Sequence, residues 1–176
     1  MSAPSWPPPQ SVDDPGGRAE ALFGQAQALL ALNRVDEGRA MLERLIAQYP
    51  NTDDALQAQL RLAALYQQQN KPAEALAIYR KIAGSGTNGF AAEAQFMYGS
   101  LLLQQGKAAE ALQAFQTMPE RYPDALDWLA QSYLGQARAY RALGQRQQAI
   151  QAYDKVITQF GETSFAATAR TEKAGL

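Results

Sequence analysis

The segments ALNRVDEG (31–38), QQNKPAEA (68–75), QQGKAAEA (104–111) and ALGQRQQA (142–149) are four copies of one pattern. Each copy ends on a small residue, and these residues lie 37, 36 and 38 positions apart: Gly38, Ala75, Ala111 and Ala149. Five positions before each stands a residue type that tolerates the left-handed backbone conformation in which helices often end: Asn33, Asn70, Gly106 and Gly144. Each copy is therefore predicted to end one helix and begin the next, and this period is typical of stacked helical hairpins.

Large and small side chains recur at helical spacing around these turns. Four positions after each small residue the side chain is bulky: Leu42, Tyr79, Phe115 and Tyr153. Three positions further on is a second apolar set: Leu45, Ile82, Met118 and Val156. Twelve positions before each small residue is another: Ala26, Ala63, Gly99 and Ala137. Because spacings of three and four share one helix face, the sequence predicts an all-α fold of antiparallel hairpins.

These positions resemble the tetratricopeptide repeat (TPR) family. The resemblance is carried by LAALYQQQNKPAEALAIYRKI (62–82), YGSLLLQQGKAAEALQAF (98–115) and GQARAYRALGQRQQAIQAYDKVI (135–157). It implies an all-α, right-handed superhelical solenoid of about four TPR hairpins plus a C-terminal capping helix. The predicted domain covers 18–176, after a disordered Pro/Gly-rich tail at 1–17. Its elements are hairpins at about 18–49, 53–83, 89–122 and 124–160, and a capping helix at about 162–174.

The sequence departs from the family pattern at several positions. Gly38 replaces the usual alanine of the second helix, and Gln25 and Gln136 stand where the family is usually apolar. Pro119 falls inside the sixth helix, where a proline removes a hydrogen bond and clashes with the preceding turn. We expect that helix to stop early or bend.

Composition excludes several classes of function. Lys and Arg number 16 against 17 Asp and Glu, so there is no net basic field for nucleic acid or an anionic membrane. The chain has no histidine and no cysteine, which removes the usual general base and the commonest metal ligands. Apolar runs are far shorter than the roughly 20 residues of a membrane span. We expect no nucleic-acid partner, no metal, no cofactor and no direct membrane span.

Two kinds of motif raise the question of catalysis. The loop GSGTNG (84–89) satisfies a glycine-rich nucleotide-binding pattern, but it follows a predicted helix where that fingerprint needs a strand, so a connection between hairpins is favoured. The pairs Asp13/Asp14 and Asp53/Asp54 fall in the tail and at a helix start, where capping is the better explanation. We find no catalytic combination and predict a non-enzymatic protein.

The family resemblance also implies a binding groove lined by the first helix of each hairpin. Carried over by register, the groove positions are Phe23, Gln27, Leu30, Leu60, Arg61, Ala64, Gln67, Phe96, Ser100, Leu103, Leu134, Arg138 and Arg141. This mixture predicts a peptide site with apolar pockets, in which arginines pair with a carboxylate. The alternative is that the polar residues are only solvated and the phenylalanines pack against neighbouring hairpins.

Two functions remain open at this stage. The first is a scaffold that binds a protein or peptide partner on the concave surface. The second is a structural subunit that braces a larger complex through its convex face or its ends; a homo-oligomer is a further option. The junctions YPNTDDALQAQLRLAALY (49–66) and QFGETSFAATAR (159–170) are similar to bacterial envelope TPR proteins of the Tol-Pal-associated and outer-membrane β-barrel assembly type. That similarity implies a periplasmic or envelope-associated location, with the cytoplasm as the alternative.

Overall fold

The computed structural model describes residues 15–176, and in this range the chain forms helices and no strand. The helices are α1 (Pro15–Ala31), α2 (Val35–Gln48), α3 (Asp53–Gln68), α4 (Pro72–Gly84), α5 (Gly89–Gln104), α6 (Ala108–Gln116), α7 (Met118–Arg121), α8 (Leu126–Ala142), α9 (Arg146–Phe160) and α10 (Ser164–Ala174). The all-α prediction is confirmed. Within this range, no helix combines the length and apolar character needed to cross a bilayer.

The N-terminal boundary differs from the prediction. α1 begins at Pro15, so residues 15–17, which were assigned to the tail, belong to the first helix. Proline is favourable in a first helical turn because its missing N–H has no partner there. The rest of the predicted tail, with Asp13 and Asp14, lies outside the described residues.

The chain divides into two compact units between Leu65 and Tyr66, near the end of α3. In the first unit α1 packs against α2. In the second unit α5 packs against α4 and α6, α8 packs against α6 and α9, and α10 packs against α9. α5 and α8 also contact each other, which brings the first helices of two successive hairpins side by side. The predicted extent of the repeat domain, 18–176, stays a prediction.

Four turns of the same design join the two helices of each hairpin. The predicted left-handed residues have φ of 59°, 56°, 75° and 71°, in the order Asn33, Asn70, Gly106 and Gly144. Each donates its N–H to the carbonyl three positions back, and the next residue donates to the carbonyl five positions back, over 2.8 to 3.0 Å. These two bonds form a Schellman motif, which satisfies carbonyls at the end of a helix. The predicted helix ends are confirmed.

The residue that closes each Schellman motif also opens the second helix. Its carbonyl accepts the N–H of the small residue four positions on, over 2.9 to 3.3 Å. No side-chain hydrogen bond caps these helices, so the helix ends in each turn are closed by backbone hydrogen bonds. The four residues are Arg34, Lys71, Lys107 and Gln145.

The predicted apolar faces are buried. The bulky residues four positions after each small one, Leu42, Tyr79, Phe115 and Tyr153, are at most 1% exposed, and so is the second set three positions later. The small residues of the first helices are buried as well. Each buried side chain of this size contributes roughly 1.5–3 kcal/mol of transfer free energy. The helical register is therefore confirmed.

α6 ends at Gln116, three residues before Pro119, as predicted, and side chains from two neighbouring helices donate hydrogen bonds to its last turn. Because proline has no N–H, the carbonyl of Phe115 loses its helical donor. Gln136 Nε2, on α8, donates to that carbonyl at 3.2 Å. Gln95 Nε2, on α5, donates to the Ala114 carbonyl at 2.7 Å. The polar residue at 136, unusual for the family, thus has a physical reason.

Side-chain caps begin α3, α5 and α10, three of the four helices that follow a hairpin, whereas α8 has none. Asn88 of the glycine-rich loop accepts the N–H three positions on at 2.9 Å, so that loop ends in a helix cap. Thr52 and Thr163 do the same at 3.2 and 3.3 Å. The capping role expected of Asp53 and Asp54 was wrong in detail: Thr52 caps α3, and the two aspartates lie in its first turn, where their charge complements the helix dipole.

Candidate partner-binding pocket between α5 and α8

The first helices of two successive hairpins, α5 and α8, line a pocket of about 270 Å³ in the second unit. Its wall on α5 is formed by half-buried side chains three and four positions apart, and its other wall is on α8. The principal lining residues are Phe96, Ser100, Leu103, Phe115, Gly135 and Arg138. Four of these, Phe96, Ser100, Leu103 and Arg138, were predicted from the register.

The floor of the pocket is the ring of Phe115, which lies between two glycines. A Cβ at Gly99 on α5 would come within 2.7 Å of this ring, and a Cβ at Gly135 on α8 within 2.6 Å. Only glycine leaves room for the ring on both sides. Phe96 covers one edge, with its centroid 6.0 Å from Phe115 and 5.5 Å from Trp128. The pocket is therefore aromatic and closely packed at its base.

Arg138 forms the charged rim of the pocket. Its guanidinium binds the Glu172 carboxylate of α10 through two donors: Nε lies 3.0 Å from Oε2, and Nη2 lies 2.6 Å from Oε1. Tyr153 donates its hydroxyl to the same Oε2 at 2.9 Å. This fork geometry is the one in which arginine holds carboxylates most strongly. Arg138 thus binds a carboxylate of its own chain, and its pairing with a carboxylate of a partner stays a prediction.

The pKa values of these groups follow from their contacts. The hydrogen bonds from Arg138 lower the pKa of Glu172 below its ordinary value, and the hydroxyl of Tyr153 adds to this. Burial, aided by the hydrogen bond to Glu172, raises the pKa of Tyr153 to about 12. At neutral pH the three groups therefore form an ionised pair with a neutral phenol.

The other predicted groove residues of the second unit differ in how far they are buried. Gln67 is half-buried and accepts a hydrogen bond from Tyr79 at 3.1 Å. Arg141 is exposed and makes no ion pair with any residue in 15–176. The prediction that Leu134 lines the groove is wrong. Its side chain is 4% exposed and belongs to the apolar core that includes Ala169 of α10, so it offers no surface to a partner.

Six of the predicted groove residues lie in the first unit. The prediction that Leu60 lines the groove is also wrong, because this side chain is only 8% exposed. Exposed or half-buried positions are Phe23, Gln27, Leu30, Arg61 and Ala64. A Cβ at Gly38 would lie 2.7 Å from the Leu30 side chain, so Leu30 packs on α2, and this packing explains the glycine at that position.

The sequence analysis did not predict a role for three residues of this region. Glu93 lies three positions before Phe96 on α5, so the same spacing rule could have found it. It is half-buried, and burial raises its pKa. Gly135 was missed because a glycine leaves no side-chain signal. Glu172 was missed because its contact with Arg138 spans 34 positions.

The described part of the chain offers little for other chemistry. No group of three or more Asp and Glu side chains in residues 15–176 could hold a metal ion. The pocket instead combines an apolar floor, one hydroxyl and one guanidinium. Such a surface is suited to an apolar side chain with a polar group next to it.

Family models of the tetratricopeptide repeat match residues 20–52, 60–125 and 131–163, which together make up well over half of the sequence. The chain belongs to the tetratricopeptide repeat family. The comparison with curated proteins gave no match.

Several solved structures have a similar fold. MamA AMB-1 is 21% identical, with a TM-score of 0.61 over 83% of this chain and 75% of its own. A tetratricopeptide repeat protein from Parabacteroides merdae ATCC 43184 is 18% identical, with a TM-score of 0.69 over 88% of this chain and 58% of its own. A putative kinesin light chain with nearly identical TPR-like repeats, from Podosopora anserina, is 19% identical, with a TM-score of 0.67 over 93% and 87%. These similarities confirm the TPR fold. They do not support the narrower resemblance to envelope proteins.

Proposed function

We propose that this chain is a non-enzymatic interaction scaffold, which binds a peptide, a helix or a partner subunit on the surface formed by the first helices of its hairpins. The observation that carries the proposal is the pocket between α5 and α8. Phe96, Ser100, Leu103 and Arg138 were carried over by register from the family resemblance, and they line one cavity of about 270 Å³. Pockets of this kind commonly receive the anchoring side chains of a partner.

The pocket has the features of an anchor site. One wall is the half-buried ring of Phe96, and aromatic surface contributes strongly to interface energies. Its rim carries a serine hydroxyl and the Arg138 guanidinium, which can fix the orientation of a bound segment. Phe96 and Leu103 are only partly buried, so they keep apolar surface that a partner would cover.

The test is to fill the pocket without altering the core. Ser100→Phe places a ring into the cavity from its half-exposed wall, and Gln113→Phe adds the same ring at an exposed position of α6 outside it. A photocrosslinking amino acid at position 100, compared with one at position 113, identifies the partner in source cells by mass spectrometry.

The scaffold proposal requires that a partner crosslinks from position 100 and not from 113, and that Ser100→Phe abolishes its binding while Gln113→Phe does not. Circular dichroism and thermal melting establish that both variants are folded. A partner that both variants retain would contradict the proposal and favour the structural subunit that contacts its complex through another face.

The location of the protein is a separate proposal. We propose the periplasm or the cell envelope, on the basis of the resemblance of the junctions at 49–66 and 159–170 alone. Fractionation of source cells with an antibody against the chain tests it, and recovery only with cytoplasmic proteins would overturn it.

A further inference from the structure

Arg138 faces both the pocket and α10. It lines the cavity between α5 and α8, and its Nε and Nη2 are held by Glu172. Its third nitrogen, Nη1, makes no hydrogen bond to the described residues. The Arg138 side chain is still 46% exposed. A bound segment could therefore reach the same cation that α10 uses.

α10 is attached by apolar contacts and by two ion pairs. Its fully buried residues are two alanines, Ala166 and Ala169, and Phe165 packs, partly buried, against the core that contains Ala169. Its ion pairs are Glu172 with Arg138 and Lys173 with Asp154, which lie 2.6 and 2.5 Å apart. Partly exposed ion pairs contribute little to stability, so the Arg138–Glu172 pair can be exchanged while the apolar contacts keep α10 in place.

The charges around the pocket differ between its two sides. On α8, Arg138 and the exposed Arg141 are three positions apart and share one helix face. The carboxylate that balances them is Glu172. On α5, Glu93 precedes Phe96 by one helical turn, but it does not line the pocket, and its charge acts on Tyr79 of α4, whose pKa it helps to raise. An acidic group on a ligand is therefore favoured on the α8 side, where the two arginines lie.

We propose that the pocket takes a partner segment with a bulky apolar side chain and a neighbouring Asp or Glu, and that Glu172 competes with this acid for Arg138. The proposal rests on the scaffold function proposed above. The apolar side chain lies between Phe96 and Leu103, the half-buried apolar residues of the pocket wall, with the buried ring of Phe115 behind them. The ligand carboxylate binds Arg138 as Glu172 does in the free protein, so α10 acts as an internal competitor that lowers affinity.

The test uses a phage-displayed library of random dodecapeptides as the probe. Peptides are selected on the wild-type chain, and their dissociation constants are measured by fluorescence polarisation. We expect selected peptides to combine Phe, Leu or Trp with a nearby Asp or Glu, and to lose binding to Ser100→Phe. Replacing the acid of a selected peptide by its amide should weaken binding roughly tenfold, as should Arg138→Gln.

Competition is tested with two variants of α10 contacts. Glu172→Gln removes the competing charge and keeps an oxygen for Tyr153, so affinity for the acidic peptide should rise roughly three- to tenfold. Asp154→Asn breaks the other ion pair of α10 and leaves Arg138 neutralised, so affinity should not change. If both variants changed the peptide affinity equally, the cause would be a looser attachment of α10 and not the charge of Glu172. That result would overturn the proposed competition.

Failure of this inference is distinguishable from failure of the scaffold function. Selected peptides that bind to the wild type, are lost with Ser100→Phe and show no acid would overturn the acidic ligand only. Selected peptides enriched in Lys or Arg would also overturn the acidic ligand only, and would indicate that Glu93 attracts them. Peptides that bind equally to wild type and Ser100→Phe would overturn the pocket as a site, and with it both proposals.

Discussion

Gln136 donates its side-chain amide to the backbone carbonyl of Phe115 at 3.2 Å, and so replaces the N–H that Pro119 cannot supply. A side chain of α8 thus completes the hydrogen bonding of α6. An unsatisfied buried carbonyl costs about 1–3 kcal/mol, so this pair links the stability of two hairpins.

Replacing Gln136 by the apolar residue usual in the family should destabilise this protein. We expect Gln136→Leu to lower the free energy of unfolding by about 0.5–1.5 kcal/mol, because the Phe115 carbonyl keeps the Thr117 N–H and loses its side-chain donor. In a Pro119→Ala background, residue 119 regains an N–H, and the same substitution should cost less. Urea unfolding of the four proteins in this double-mutant cycle measures the coupling; an equal cost in both backgrounds would mean that the hydrogen bond is not the cause.

The glycines beside Phe115 should resist even a methyl group. We expect Gly135→Ala to cost about 1–2 kcal/mol, since its Cβ would meet the ring at 2.6 Å and the ring is packed between two helices. Gly24→Ala, on α1, is the matched control because nothing lies within 4 Å of its Cβ. There the higher helix propensity of alanine should stabilise by about 0.5–1 kcal/mol. Thermal melting compares the two, and stabilisation by both would show that the close contact relaxes freely.

The aromatic residues of the second helices should dominate stability. Tyr79→Ala and Tyr153→Ala should each cost about 3–5 kcal/mol, because each ring is at most 1% exposed and its removal leaves a cavity. Leu126→Ala is the control, since that leucine is 61% exposed and its loss should cost less than about 0.5 kcal/mol. Chemical denaturation separates these cases, and similar midpoints for all three variants would contradict the helical register.

Two carboxylates should affect stability in opposite directions as pH changes. The pKa of Glu172 is lowered in the folded state, so its contribution is complete above the ordinary carboxylate range and is lost as pH falls through the lowered value. Glu172→Gln should therefore destabilise at neutral pH and have little effect in acid. Unfolding free energies of wild type and variant across this range measure the difference.

Glu93 provides the opposite sign in the same experiment. Burial raises its pKa, so the folded state is favoured below the unfolded pKa and penalised as pH rises through the folded value. Glu93→Gln should raise stability at neutral pH and change little in acid. A loss of stability at neutral pH would indicate that Glu93 makes a favourable contact within the folded chain.

The fold was predictable because its signals are local. Asn33, Asn70, Gly106 and Gly144 are the types that adopt positive φ, and the helical faces follow from spacing alone. The site was predictable only in part. Register placed Phe96, Ser100 and Leu103 at the pocket, but it could not foresee that Leu134 is buried in the core shared with α10. The pairing of Arg138 with Glu172 depends on where the last helix packs, which no local pattern encodes.

The backbone turn within each hairpin limits how the sequence can change. Each turn has three residues between its helices, at 32–34, 69–71, 105–107 and 143–145. One residue in each closes the first helix with its N–H and starts the second with its carbonyl, and its side chain makes no capping hydrogen bond. A single inserted residue would rotate the second helix by about 100° and turn its apolar face away from the core. Insertions in homologous chains should therefore be absent from these turns. The side chains at 107 and 145 are expected to vary more than those at 34 and 71, which contact Glu37 and Tyr66. The four tripeptides should also be interchangeable as cassettes in engineered repeat arrays.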